Sequence, residues 1–149
     1  MVVIPNSILL QSFNSGLVRG NVIRTRNFPN LPPDMFKRIV LLNNNFTDSK
    51  IYYCFTTSEV EWYIDNWYSD KVSKNCIYCL KGETSNNLTE DMIINLREVG
   101  EIDKETLFDN YNNRILDFLN PFSVDIMNQV NNIIKDSKLI ATKYINKII

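Results

Sequence analysis

Histidine is absent from this chain of 149 residues. Its absence excludes imidazole acid–base catalysis, every histidine-containing triad and histidine-based metal sites. No P-loop, dinucleotide-binding, zinc-protease or nucleophile-elbow motif is present either. An enzymatic mechanism in this chain must therefore use Lys, Arg, Thr, Ser, Tyr or carboxylate side chains, and we predict neither a metal nor a cofactor.

Cysteine is scarce, with three residues at Cys54, Cys76 and Cys79. The last two have CxxC spacing but lie in a strand-like run, residues 75–80, where side chains three apart point to opposite faces. A redox CxxC would open a helix instead, and a zinc site would need further ligands. We therefore predict buried structural thiols in a reducing compartment, the cytoplasm.

Long apolar runs are also missing. No segment approaches the roughly 20 apolar residues of a membrane helix, so we predict no membrane association. Residues 1–13 lack the early positive charge and cleavage pattern of a secretory signal. A 44% hydrophobic and 22% charged composition is ordinary for a globular protein, and the length fits a single domain.

Charge is balanced overall but uneven along the chain. The net charge of −1 argues against a protein that coats nucleic acid by bulk charge. Residues 1–45 nevertheless carry five cations against one acid, Asp34. The five cations are Arg19, Arg24, Arg26, Lys37 and Arg38. A polyanion would bind most readily here; the alternative is that these side chains lie on solvated strand faces.

Periodicity predicts a mainly β protein with helices, of the α+β class. Predicted strands cover residues 22–28, 38–42, 51–55, 75–80, 92–96 and 98–102, the last two joined or paired through Gly100, with 114–119 a strand or helix start. Predicted helices cover residues 59–70, 103–111 and 124–138. Residues 1–18 are predicted to form an N-terminal extension and residues 19–149 one domain, a small antiparallel barrel or sheet with helices attached.

Three helix starts have capping signals. Asp103 and Ser123 are candidate N-caps, and Ser58 with Glu61 fits a capping box. The helix at residues 59–70 contains two tryptophans and two tyrosines. They could form an RNA-stacking platform, although helical spacing favours a core face. Residues 82–87 are predicted to form a loop.

The segment 37–58 is the most informative of the chain. Its two predicted strands flank a polar turn, residues 43–50, and the second strand ends in Thr56, Thr57 and Ser58. Hydroxyls at a strand end with cations nearby can hold a phosphate without a metal. The alternative is that these hydroxyls only end the strand and cap the next helix.

RNA is a substrate on which such a set of residues could act. RNA carries its own nucleophile, the 2′-hydroxyl, so cleavage through a cyclic phosphate needs only a base, an acid and stabilisation of a charged transition state. Thr56 could donate to a phosphate oxygen. Positive charge could come from Lys37, Arg24, Arg26, Arg38 and Arg97.

The order of these segments resembles the MazF/PemK/Kid family of toxin endoribonucleases. Residues 20–23, Gly-Asn-Val-Ile, resemble the family's opening Gly-Asp-strand. Residues 37–44 resemble its Arg-Pro-strand-Asn-Asp segment, and residues 51–58 the strand that ends in Thr-Ser or Thr-Ala. Residues 91–107 resemble its Asp-Ser-Val-Ile … Gln-Ile-Arg-Thr-Ile-Asp-Lys-Arg-Leu stretch, and residues 124–139 its C-terminal helix.

The resemblance implies a small SH3-like antiparallel barrel with a C-terminal α-helix. It also implies a homodimer, metal-independent cleavage of single-stranded RNA, and an antitoxin protein whose disordered tail occupies the RNA groove. Thr56 falls on the family's catalytic threonine. Phe36 stands at the family's catalytic arginine and Lys37 at the proline that follows it.

Two functions follow from the resemblance. In the first, the protein is an endoribonuclease of a toxin–antitoxin or defence system, with Thr56 and Lys37 as catalytic residues. The residues that bind RNA would then be Arg24, Arg26, Arg38, Thr57, Ser58 and Arg97. In the alternative, the chain is a catalytically inactive member of the same fold that binds RNA or a protein.

Overall fold

The computed structural model describes residues 4–81, 90–140 and 142–149. The predicted loop at residues 82–87 lies outside this part of the chain. The described helices are α1 (Asn6–Gly16), α2 (Val60–Asp65), α3 (Asp70–Asn75), α4 (Lys104–Asn112), α5 (Val124–Asp136) and α6 (Thr142–Ile148). The strands are β1 (Val22–Thr25), β2 (Lys37–Leu41), β3 (Lys50–Thr57), β4 (Cys76–Cys79), β5 (Met92–Asp103) and β6 (Asp117–Phe118).

All six strands belong to one antiparallel sheet in the order β4-β5-β3-β2-β1-β6. The predicted α+β class is therefore confirmed. Within the described residues β4 and β6 are the two sheet edges and do not pair, so the sheet is open where a closed barrel was expected. Closure requires the first and last strands to pair, and β6 offers only two residues.

The predicted hairpin is confirmed as β2 and β3, with Val40 opposite Cys54 and Leu41 opposite Tyr53. Asn43 holds the turn between them. Its side chain donates to the Lys50 carbonyl at 2.9 Å and accepts from a backbone N–H of β3 at 2.7 Å. These bonds satisfy a side chain that is only 1% exposed.

β5 is one long strand of twelve residues rather than two. Its pairing with β3 shifts register between Tyr53, which lies opposite Gly100, and Phe55, which lies opposite Asn95. The extra residues of β5 make an irregular bulge. A Cβ on Gly100 would lie 2.6 Å from the Tyr53 ring, so the close approach of ring and strand requires glycine here.

Helices cover both faces of the sheet. On one face, Val40 and Cys54 pack with Val130 and Ile134 of α5. On the other face, α1 and α4 cover a second cluster, and a smaller third cluster lies under α2 and α3. None of the described helices is long and apolar enough to cross a membrane.

The region predicted as one helix at residues 59–70 forms two short helices, α2 and α3. Asn66 ends α2, because its backbone N–H donates to the Trp62 and Tyr63 carbonyls while its side chain also donates to Trp62. Helix α3 and the C-terminal helix α6 were not predicted. Both are short, and short helices are stabilised mainly by tertiary packing.

The capping predictions had different outcomes. Ser123 caps α5 by accepting from the Ile126 N–H at 3.3 Å, as predicted. The Ser58–Glu61 capping box is wrong, since α2 has no side-chain cap. Asp103 is at the N-cap position of α4 without a capping bond, and its carboxylate instead pairs with Lys50 of β3.

Helix α1 lies in the region that was predicted to be an N-terminal extension. It contributes the side chain of Phe13, which is 1% exposed, to the core. The ring of Phe13 contacts those of Phe108 and Tyr111 on α4.

Strand β1 ends three residues earlier than predicted, because Asn27 has a φ of 69° and leaves the extended conformation.

The three cysteines are buried and free, as predicted. Cys76 packs in the cluster under α2 and α3, whereas Cys79 packs on the α5 side of the sheet. Burial raises the pKa of Cys76 to about 11 and the pKa of Cys79 to about 12, and it also raises the pKa of Cys54. These thiols therefore lack the lowered pKa of a reactive cysteine.

Candidate functional site

Four strand ends meet at one end of the sheet: the last residues of β1 and β3 and the first residues of β2 and β5. Because neighbouring strands are antiparallel, these ends lie side by side. They form an open depression of about 280 Å³, called here the basic pocket. Its lining residues are Arg24, Phe36, Lys37, Arg38, Thr56, Thr57, Ser58, Glu59, Glu90 and Met92.

Arginine side chains form one wall of the basic pocket. Arg24 and Arg38 lie directly opposite one another in the β1–β2 register, so they share a sheet face. The Arg24 guanidinium lies 4.2 Å from the centroid of the Phe36 ring, and the Arg26 guanidinium lies 5.5 Å from it. Two guanidinium groups therefore lie over one aromatic ring, with Arg38 opposite Arg24 in the sheet, and an anion would relieve the repulsion among these charges.

Only Arg38 of this group has a carboxylate partner among the described residues. Its Nη1 lies 3.1 Å from Oε1 of Glu90, and the two side chains are 38% and 49% exposed. A pair this exposed contributes about 0–1 kcal/mol, so an incoming phosphate could displace it. Arg24 and Arg26 form no ion pair within the described segments.

The hydroxyl groups have separate roles. Thr56 is 7% exposed, and its hydroxyl donates to the Arg38 carbonyl at the long distance of 3.5 Å. The Thr57 hydroxyl accepts from the Glu59 N–H at 3.1 Å and so shapes the turn into α2. The Ser58 side chain is exposed. The weak bond of Thr56 leaves its hydroxyl available to a ligand.

Lys37 lies at the rim of the basic pocket rather than beside Arg38. Successive side chains of a strand point to opposite faces, so Lys37 points away from the face shared by Arg24, Arg38 and Thr56. Its side chain is exposed. Lys37 could therefore reach a bound chain from the edge only.

The structure places Arg97 outside the basic pocket. It lies on the bulged part of β5, where its backbone N–H donates to Asn95 Oδ1 at 3.0 Å. Asn95 in turn donates to the Tyr63 hydroxyl of α2 at 3.1 Å. Burial is the main cause of the raised pKa of Cys76, and the positive charge of Arg97 opposes it. Arg97 therefore belongs to the surface around α2.

The tryptophan- and tyrosine-rich segment divides between core and surface. Tyr63 and Trp67 pack against the third cluster, as helical spacing predicted. Trp62 is 50% exposed and Tyr68 is 86% exposed, so those two rings face solvent.

Sequence reasoning missed the contribution of Glu90 to this site. Arg38 and Glu90 are 52 residues apart, and no spacing pattern connects them. The strand register that brings them together could be read only from the folded chain. Within the described residues, no three His, Cys, Asp or Glu side chains are grouped as metal ligands.

No protein-family model matches the chain, and no curated protein matches it significantly. The resemblance to the MazF/PemK/Kid family therefore stays a prediction. The basic pocket can be read by its chemistry alone: Arg24 and Arg38 with Arg26 beside them, a weakly bonded threonine hydroxyl and an aromatic ring at adjoining strand ends.

Proposed function

We propose that the protein binds single-stranded RNA at the basic pocket. The observation that carries the proposal is the pairing of Arg24 with Arg38 across β1 and β2, with Arg24 over the Phe36 ring. Guanidinium groups recognise phosphate through two parallel hydrogen bonds, and an aromatic ring beside them can contact a base. Arg24, Arg26 and Arg38 would hold the backbone, with Thr56 donating to a phosphate oxygen.

A small, open pocket favours a flexible single strand. The balanced net charge of the chain supports a local contact of a few phosphates rather than a broad basic surface. An exposed ring such as that of Trp62, the third residue of α2 and three residues after Glu59, would support base stacking near the pocket.

Metal-independent cleavage of that RNA is a second candidate, favoured by the Glu90 carboxylate beside Arg38. In this reaction Glu90 accepts the proton of the ribose 2′-hydroxyl. The 2′-oxygen forms a bond to phosphorus, the bond from phosphorus to the 5′-oxygen breaks, and Lys37 protonates the leaving oxygen. The arginines and Thr56 stabilise the charged phosphorus centre. No metal or cofactor takes part in these steps.

Membership of the MazF/PemK/Kid family remains part of the proposal. It is supported by Thr56 at the end of a strand, by the adjoining hairpin and by the amphipathic α5 near the C-terminus. On this proposal the sheet corresponds to an SH3-like barrel, the protein forms a homodimer in the cytoplasm, and an antitoxin protein covers the basic pocket.

The test is a mixed-sequence 20-nucleotide RNA incubated with the purified protein in EDTA at low salt. Anisotropy of a labelled RNA measures binding, and a denaturing gel of the same samples measures cleavage. We expect saturable binding that weakens as salt rises. Absence of binding at protein concentrations of order 100 μM would reject the proposal, and intact RNA at saturation would leave binding without cleavage.

A Thr56→Ala variant separates the two roles, with Thr47→Ala as a control on an exposed turn residue. If Thr56 serves only binding, the variant loses affinity without a change in the cleavage rate of bound RNA. If it stabilises the transition state, cleavage at saturation falls by about 10²-fold. The Thr47 variant should behave as the unchanged protein.

A further inference from the structure

A second depression, of about 630 Å³, lies where β3 and β5 shift register. It shares no lining residue with the basic pocket. We call it the acidic cleft. Its lining includes Lys50, Tyr53, Phe55, Glu98, Gly100, Glu101 and Asp103.

The acidic cleft has aromatic walls. Tyr53 and Phe55 line it, and Phe28 packs behind them with ring centroids 5.3 Å from Tyr53 and 5.5 Å from Phe55. The centroids of Tyr53 and Phe55 are 5.4 Å apart. Each ring therefore contacts the other two. Such mutual support holds rings in place without a ligand, which lowers the entropic cost of binding.

Carboxylates surround these rings. Asp103 pairs with Lys50, whereas Glu98 and Glu101 pair with no cation in the described part of the chain. Both glutamates lie on β5 beside the bulge. Asp103 is the main cause of the raised pKa of Lys50, and Glu101 adds to it. Three carboxylates and one ammonium group thus line the cleft, which leaves an excess of negative charge next to aromatic rings, whose electrostatic quadrupole also attracts cations.

The Tyr53 hydroxyl supplies a polar group inside the cleft. The residue is 3% exposed and lines the cleft, and its hydroxyl oxygen would lie 2.7 Å from a Cβ placed on Gly100. Within the described residues this hydroxyl makes no hydrogen bond to the protein, and it is not one of the buried polar atoms that lack a partner, so it is open to the solvent of the cleft and to a ligand there. Burial is the main cause that raises the pKa of Tyr53 to about 12, so the phenol stays neutral and its oxygen can accept.

We propose that the acidic cleft binds an organic cation, an alkylammonium or guanidinium group, against the Phe55 ring and at the Tyr53 hydroxyl, with its charge facing Glu98 and Glu101. The N–H groups of such a cation would donate to the Tyr53 oxygen. A phosphate or carboxylate ligand would be repelled by the two glutamates. A bare metal ion would gain little, because Ca²⁺ and Mg²⁺ need several oxygen ligands and the walls here are aromatic.

Two sources could present this cation: a basic side chain on a peptide, or a free polyamine. The test titrates the ¹⁵N-labelled full chain with acetyl-Gly-Arg-Gly-amide, with spermidine and with neutral acetyl-Gly-Gln-Gly-amide. We expect saturable shifts of the Gly100 amide with the arginine peptide or with spermidine, and the better ligand identifies the source. Failure of both cations at about 10 mM, or equal binding of the glutamine peptide, would overturn the proposal.

Variants then locate the bound cation. Glu98→Gln with Glu101→Gln should weaken binding of the better probe about tenfold, because each change removes one charge and keeps the shape. The matched control, Glu105→Gln with Asp109→Asn, removes two exposed charges from α4 and should leave binding unchanged. Unchanged affinity in the first double variant would contradict the proposed site.

The Tyr53→Phe variant tests the hydroxyl. It keeps the ring and should weaken the better probe about threefold while the melting temperature changes little, because the hydroxyl has no partner in the described fold. Equal affinity for the probe would remove Tyr53 from the site. RNA binding should be the same in all these variants, so the outcome is independent of the basic pocket.

Discussion

The guanidinium of Arg24, on strand β1, lies 4.2 Å from the centroid of the ring of Phe36, the residue that precedes β2. On the proposed relation to the MazF/PemK/Kid family, Phe36 would stand at the position of the catalytic arginine, and Arg24 of β1 would supply a guanidinium at that place. This contact, worth about 0.5–1 kcal/mol at an exposed site, orients Arg24 toward the basic pocket.

Replacing Arg24 tests that role. We expect Arg24→Gln to weaken RNA binding about tenfold and to reduce the slope of log K against log salt by about 0.7, the value for one phosphate contact on a single strand. Anisotropy titrations between about 50 and 200 mM salt measure both quantities. Lys135→Gln, an exposed change on α5, is the control. Equal losses in the two variants would point to a bulk charge effect.

Replacing Glu90 distinguishes binding from catalysis. Glu90→Gln removes the partner of Arg38, so we expect RNA affinity to rise about threefold. If Glu90 is the base, cleavage of bound RNA falls by about 10²-fold or more in the same variant. Gel assays at saturating protein measure the second effect. An exposed glutamate of α2, changed as Glu61→Gln, should alter neither quantity.

Neighbouring hydroxyls should differ in their effect on stability. Thr57 accepts the Glu59 N–H, so Thr57→Val should lower the free energy of unfolding by about 1 kcal/mol. Ser58→Ala should be close to neutral, because α2 has no side-chain cap. Urea unfolding followed by circular dichroism compares the two. A larger loss of unfolding free energy for Ser58→Ala than for Thr57→Val would show that Ser58 caps α2 after all.

Gly100 should not tolerate a side chain. Gly100→Ala places a Cβ 2.6 Å from the Tyr53 ring, so we expect a loss of about 1–3 kcal/mol in the free energy of unfolding. Combining it with Tyr53→Leu should cost less than the sum of the two single changes, because the smaller side chain relieves the clash. Additive losses in urea unfolding would show that the contact is not the cause.

The buried thiols give a pH dependence with a defined sign. The pKa of Cys79 is raised by burial from 9.0 to about 12, so the folded state favours the neutral thiol. That contribution to stability is complete below pH 9 and is lost as the pH rises toward 12. We expect the free energy of unfolding to fall over this interval, and less steeply in Cys79→Ala. In the native state, iodoacetamide at pH 8 should label none of the three buried cysteines.

Local pattern was enough for much of the fold. A continuous apolar run over residues 39–42 with a second β-type run after a polar turn predicted the β2–β3 hairpin, and helical spacing of apolar residues predicted α5, since both signals are short-range. The same argument placed the CxxC pair on a strand with its thiols buried. It failed for α3 and α6, which are too short for a periodic signal, and for the single helix at residues 59–70, which the bonds of Asn66 divide.

Strand register was not readable from the sequence. It set Arg24 opposite Arg38 and Thr56 opposite Ile94, and it separated Arg97 from the other arginines. It also put Lys37 at the rim of the basic pocket rather than beside Arg38, because a strand turns alternate residues to opposite sides.

By itself, the sequence determined the absence of histidine chemistry, the α+β class and the collection of arginines in the first third of the chain. Only the tertiary structure decided that Arg24 lies opposite Arg38, that Glu90 pairs with Arg38 and that the Arg24 guanidinium lies over the Phe36 ring. It also left the described sheet open and created the acidic cleft at the β3–β5 bulge. The physical reason is that composition and periodicity act over a few residues, whereas pairing register joins residues far apart in the chain.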